Sequence, residues 1–165
     1  MNYILTGLPG SGKSTIGVLL AKYLGYDFID ADLVIQKQER RLLSEIINEE
    51  GPDGFIAIEN EIGAGIHAER AVIATGGSAV LGREAMENYK NGGKVIYLKI
   101  PFEEMKLRLS RNFRKRGVVL KAGQTLYSIY QERIPLYEKY ADYTIEEINW
   151  NQEATLQNIL DEIRR

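Results

Sequence analysis

Gly7-Leu8-Pro9-Gly10-Ser11-Gly12-Lys13-Ser14 satisfies the pattern G-x-x-x-x-G-K-[ST] at every fixed position, and its flanks restrict what can be built around it. Tyr3-Ile4-Leu5 on the N-terminal side is a short apolar run that stops at glycine. On the C-terminal side, Ile16, Leu19, Leu20, Tyr23 and Leu24 recur at the spacing of one helix face. The predicted unit is strand, glycine loop, helix. Glycines let such a loop curl with successive backbone N–H groups pointing inward, and the free N–H groups and positive dipole end of the helix favour an anion. Gly10, Ser11, Gly12, Lys13, Ser14 and Thr15 are therefore the candidate nucleotide-phosphate contacts. Lys13 would reach the β- and γ-phosphates of ATP, the Ser14 hydroxyl would ligate Mg²⁺, and Thr15 extends the first turn toward the α-phosphate. A capped helix start would explain the small residues but not the lysine.

The alternation continues along the chain. Phe28-Ile29 precedes Asp30, Ala71-Val72-Ile73-Ala74 precedes Gly76, Val95-Ile96-Tyr97-Leu98 precedes Pro101, and Tyr143-Thr144-Ile145 is a fifth apolar run. Helical spacing links Leu43, Ile46 and Ile47, then Ile58, Ile62 and Ile66, then Leu156, Ile159, Leu160 and Ile163. Short strands apolar on both faces, alternating with helices, predict an α/β fold: a three-layer α/β/α sandwich around a five-stranded parallel sheet, with ligands at the carboxyl ends of the strands. His67, the only histidine, is expected on the helix that carries Ile62 and Ile66, in a structural role.

A length of 165 residues predicts a single domain over 1–165, and 44% apolar with 27% charged residues is the balance of a soluble globular protein. The formal net charge of −2 provides no global field to gather nucleic acid or anionic membrane, so neither is expected as a partner. The absence of cysteine removes thiolate chemistry and fits a reducing compartment. The first apolar run, broken by Gly7 and Pro9, reads as neither signal peptide nor membrane span. A cytoplasmic monomer acting on a small hydroxylated molecule is expected.

Asp30 and Asp32 follow the second apolar run as D-A-D, a spacing that in an extended chain directs both carboxylates to one side. One carboxylate placed on Mg²⁺ through water and a second accepting the proton of an attacking hydroxyl would complete phosphoryl transfer to an alcohol.

With the glycine loop and D-A-D in place, the chain resembles the shikimate kinase family. The resemblance also runs through Phe55 and Glu59, Ala74-Thr75-Gly76-Gly77, the basic stretch ending at Arg116, and Glu132-Arg133-Ile134-Pro135-Leu136-Tyr137. It implies a kinase of the phosphate-loop class using ATP and Mg²⁺, with a mobile lid over about residues 112–123 and acceptor-binding helices over about residues 32–69. It further implies Asp30 on the Mg²⁺ side and Asp32 binding and activating the acceptor hydroxyl, with Lys13 and Arg116 completing the catalytic set. Phe55, Glu59, Gly76, Gly77 and Arg133 would face the substrate, the glycines through backbone N–H and Arg133 through the substrate carboxylate. Arg111 and Arg116 would lie beside the nucleotide.

Three departures bear on the acceptor. Ile56 stands where the resemblance predicts a second carboxylate-binding arginine, Ser78 where it predicts a third glycine, and Gly117 where it predicts proline. None touches the nucleotide machinery. Shikimate is the leading acceptor, and Ile56 opens the alternative of another hydroxy acid, polyol or amino alcohol whose apolar side it would line. A nucleotide-binding regulatory module would need no acceptor site, and so leaves D-A-D and Arg133 without a purpose.

Overall fold

The computed structural model describes residues 1–110, 118–147 and 149–165. Five strands, β1 (Asn2–Thr6), β2 (Asp27–Asp30), β3 (Ala71–Ala74), β4 (Gly93–Lys99) and β5 (Tyr143–Glu146), form one sheet in the order β2-β3-β1-β4-β5. Every pairing is parallel, and the register sets Leu5 opposite both Ala74 and Ile96. All five strands fall on apolar runs predicted from the sequence.

Because side chains alternate along a strand, β1 and β4 feed two different cores. Tyr3, Leu5, Ile96 and Leu98 face helices α1 (Lys13–Leu24) and α7 (Gln152–Ile163), meeting Ile16, Leu20, Ile159 and Leu160. Ile4, Ile73 and Val95 face the opposite layer, where α4 (Arg83–Gly92) contributes Ala85, Met86 and Tyr89. Tyr97 continues that face into a cluster with Met105 and Leu109 of α5 (Phe102–Ser110) and Ile129 and Tyr137 of α6 (Leu126–Tyr140). Two cores around one sheet make the predicted three layers.

Helices α2 (Ala31–Glu39) and α3 (Leu43–Ala64) pack on each other through Ile35, Ile46, Phe55 and Ile62 at the β2 edge. Helix α3 is two helical segments joined at Gly51, whose φ of 73° breaks the ladder just before Pro52. It ends at the Gly65 cap, so Ile66 and His67 lie in the connection to β3 and not on the helix, contrary to the sequence expectation. Helix α6 runs through Pro135. Among the described residues, no helix is long and apolar enough to cross a membrane.

Candidate active site

In an open parallel sheet the crevice forms where the chain turns back on its strand order, here between β1 and its neighbour β3. The turns after both strands converge there. Thr75 ties them together, its N–H and hydroxyl both donating to the Leu5 carbonyl at 3.1 and 3.0 Å. A cavity of about 360 Å³ opens at this point, lined by Gly10 and Gly12 to Thr15 from the loop after β1 and by Gly76, Gly77 and Ser78 from the turn after β3. Asp32, Phe55, Glu59 and Arg133 complete it, so the predicted nucleotide-phosphate and acceptor residues meet in one pocket.

Gly12, at φ 88°, is the N-cap of α1 and has no side chain with which to satisfy the first N–H groups of that helix. They remain directed into the loop. The Lys13 ammonium is buried and donates to the carbonyls of Gly7 (2.8 Å) and Leu8 (2.9 Å), which hold it over the same concavity. Burial lowers its pKa to about 8, an effect opposed by the Asp32 carboxylate.

Asp30 ends β2 and caps α2. Its Oδ1 accepts from the Asp32 N–H at 3.0 Å and its Oδ2 from the Ser14 hydroxyl at 2.9 Å. The two carboxylates therefore do not alternate along an extended segment, as the sequence expectation supposed. Asp32 enters the pocket from the first turn of a helix that Asp30 itself starts. A hydroxyl and a carboxylate oxygen held together are hard donors of the kind Mg²⁺ takes, so Ser14 and Asp30 fit the predicted ion.

Burial, with the Asp30 charge adding to it and Lys13 opposing, pushes the Asp32 carboxyl up to about 6. Burial likewise pushes Glu59 up to about 7, while the Ser78 hydroxyl, donating to Glu59 Oε1 at 2.5 Å, pulls the other way. The Gly76 α-carbon lies between these groups. A side chain there would come within 2.9 Å of Asp32 Oδ1 and run into Glu59 Oε2.

Arg133 is 2% exposed on α6, and its Nε has no hydrogen-bond partner among the described residues. One turn further along α6, the Tyr137 hydroxyl donates to the Gly77 carbonyl at 2.6 Å, and its ring stacks on Tyr97 with centroids 5.1 Å apart. Lys13 and Arg133 are the cations lining the pocket among the described residues. The apolar wall is Leu43, Phe55, Val118 and Val119. Ile56 packs instead into the cluster between α2 and α3, so it does not form the apolar wall that the sequence suggested for it.

A family model described as "SKI: Shikimate kinase" matches residues 9–164. The chain belongs to the shikimate kinase family. Shikimate kinases of Thermodesulfovibrio yellowstonii and Francisella tularensis subsp. novicida are 36% and 38% identical to it, over 99% and 98% of this chain and 95% and 92% of theirs. Shikimate kinase from Acinetobacter baumannii, solved in complex with shikimate, superposes with a TM-score of 0.88 at 33% identity, covering 98% of this chain and 92% of that one. The enzyme from Aquifex aeolicus gives 0.83 at 28% identity, covering 99% and 96%. As a shikimate kinase family member, the protein is an ATP-using small-molecule kinase.

Two residues with clear structural places at this site escaped the sequence reading. Arg108 is 4% exposed; it donates to the Gly10 carbonyl at 2.9 Å and pairs with Glu147 and Glu104. Its guanidinium lies 3.5 Å from the ring centroid of Trp150, which also lines the pocket. The i,i+4 spacing of Glu104 and Arg108 was the available signal. The predicted nucleotide contacts Arg111 and Arg116 lie outside the described residues, as does the lid between them. The remainder of the predicted lid, residues 118–123, holds Val119 at 3% exposure and pairs Lys121 with Asp53 of α3 at 3.2 Å.

Proposed function

We propose that this protein transfers the γ-phosphoryl group of ATP to a hydroxyl of shikimate, a step of aromatic amino-acid biosynthesis, with Mg²⁺ held by Ser14 and Asp30. The observation that carries this reading is the convergence on one cavity of Lys13, Asp32 and buried Arg133, whose Nε has no hydrogen-bond partner among the described residues. A buried charged group with an unused donor beside a pocket is costly unless a ligand completes it, and a carboxylate matches a guanidinium.

In this reading the loop N–H groups and Lys13 hold the phosphates and draw charge toward the leaving side. Bound Mg²⁺ would neutralise developing charge on the phosphate oxygens. Asp32 accepts the proton of the attacking hydroxyl, and its raised pKa brings it nearer to neutrality, where a base is both available and effective. Arg133 fixes the acceptor by its carboxylate, and the N–H groups of Gly76 and Gly77 border it. Arg111 and Arg116 are proposed on the nucleotide side. Steady-state kinetics over shikimate and a panel of polyols, amino alcohols and sugar acids tests the assignment. Shikimate is expected to give the highest kcat/KM, and turnover of another alcohol with none of shikimate would overturn it.

Trp150 is the only tryptophan, and it borders the loop that would hold the nucleotide. MgATP should therefore change the intrinsic fluorescence saturably, and Trp150→Phe should remove the signal while retaining turnover. A flat titration at concentrations that saturate turnover would place nucleotide away from this indole.

A further inference from the structure

Glu59 is a buried carboxyl, 4% exposed, yet no cation comes within ion-pair distance of it among the described residues. Its hydrogen-bond partner is Ser78, itself 4% exposed. Position 56 lies one turn before Glu59 on α3, where an i,i+3 cation would be the expected counter-charge. Isoleucine supplies none. The bond from Ser78 occupies Oε1 and leaves Oε2 against the Gly76 α-carbon, on the side that Asp32 Oδ1 also faces. Two carboxyl groups from different helices thus flank one bare patch of backbone.

We propose that Ser78 is a positioning residue for acceptor recognition: its hydroxyl fixes Glu59 so that Oε2 receives a second hydroxyl of the acceptor, next to the one held by Asp32. The site then selects molecules that carry neighbouring hydroxyls over those that carry one. This rests on the acceptor-site reading above but not on shikimate itself. The charged and titratable groups facing Glu59 are Asp32 from α2, Lys13 from α1, Arg133 and Tyr137 from α6, and Tyr89 from α4. Of these, Asp32 disfavours the ionised carboxyl and the two cations favour it, as does the Ser78 bond.

Ser78→Ala and Ser78→Thr separate positioning from simple packing. For an acceptor with neighbouring hydroxyls, Ser78→Ala is expected to raise KM about 10-fold or more, the factor expected for a hydrogen bond to a charged group. The kcat should stay within about threefold and KM for ATP should not change. The preference over the same acceptor lacking one of the paired hydroxyls should fall by a similar factor, and Ser78→Thr, which keeps the hydroxyl, should restore most of it. Independently of any acceptor, carboxyl-carbon NMR should show the Glu59 midpoint above about 7 in Ser78→Ala, because a bond that favours the ionised form has gone. Equal losses on both acceptors, a parallel loss of ATP affinity, or an unmoved Glu59 midpoint would each overturn the proposal. If shikimate is not turned over but another vicinal diol is, with Ser78→Ala eroding that preference, the shikimate assignment falls and the role of Ser78 stands.

Discussion

Lys13→Ala should lose about 10³-fold or more in kcat while the protein stays folded, because the ammonium is the charge that the Gly7 and Leu8 carbonyls hold over the phosphate loop. The stability consequence has a definite sign. Burial lowers the lysine pKa from 10.5 to about 8, so the folded protein binds this proton less readily than the unfolded chain. Stability attached to Lys13 is therefore present above about pH 10.5 and lost as the pH falls toward 8. Lys13→Ala should flatten that slope in chemical denaturation across the alkaline range. Near-normal turnover in the variant would remove Lys13 from the catalytic set, and an unchanged slope would contradict its buried charge.

Asp32→Asn is expected to reduce kcat by roughly 10²- to 10⁴-fold, the range for a general base, with little change in KM for ATP. Asparagine keeps the shape of the side chain in the first turn of α2, and the Asp30 bond to the backbone N–H of residue 32 does not depend on which side chain is present there. The loss would thus report chemistry and not a broken helix start. If the acidic limb of the native pH–rate profile, expected near 6, persists in the variant, another group takes the proton.

The sheet was legible because the first four strands are short apolar runs closed by glycine, proline or aspartate, and because a lysine in a glycine loop has few uses other than phosphate. The helix boundaries were less so. Ile62 and Ile66 keep the spacing that would put His67 on a helix, but α3 ends at Ala64 with Gly65 as its cap. Asp30 and Asp32 were brought to the same site by an argument about alternation, whereas the actual cause is an N-cap. Arg108 and Trp150 could not be joined from the sequence, since 42 positions separate them and their contact depends on how β5 and α5 flank the loop. The significance of Ser78 was visible only as a departure from a pattern. That it bonds Glu59 is a product of tertiary packing between α3 and the turn after β3.

The bond from Tyr137 to the Gly77 carbonyl has a consequence for how this pocket tolerates sequence drift. A peptide unit with glycine on one side can turn over at small cost, exchanging the directions of its carbonyl and its N–H. By claiming the carbonyl, one phenolic oxygen determines which way the amide of residue 78 faces, and it does so from the helix that also carries Arg133. Phenylalanine at 137 would fill the same volume, keep the stack on Tyr97 and preserve every apolar contact of the core. A substitution that packing and hydropathy would both score as silent is thus the one that releases the pocket's backbone to face either way.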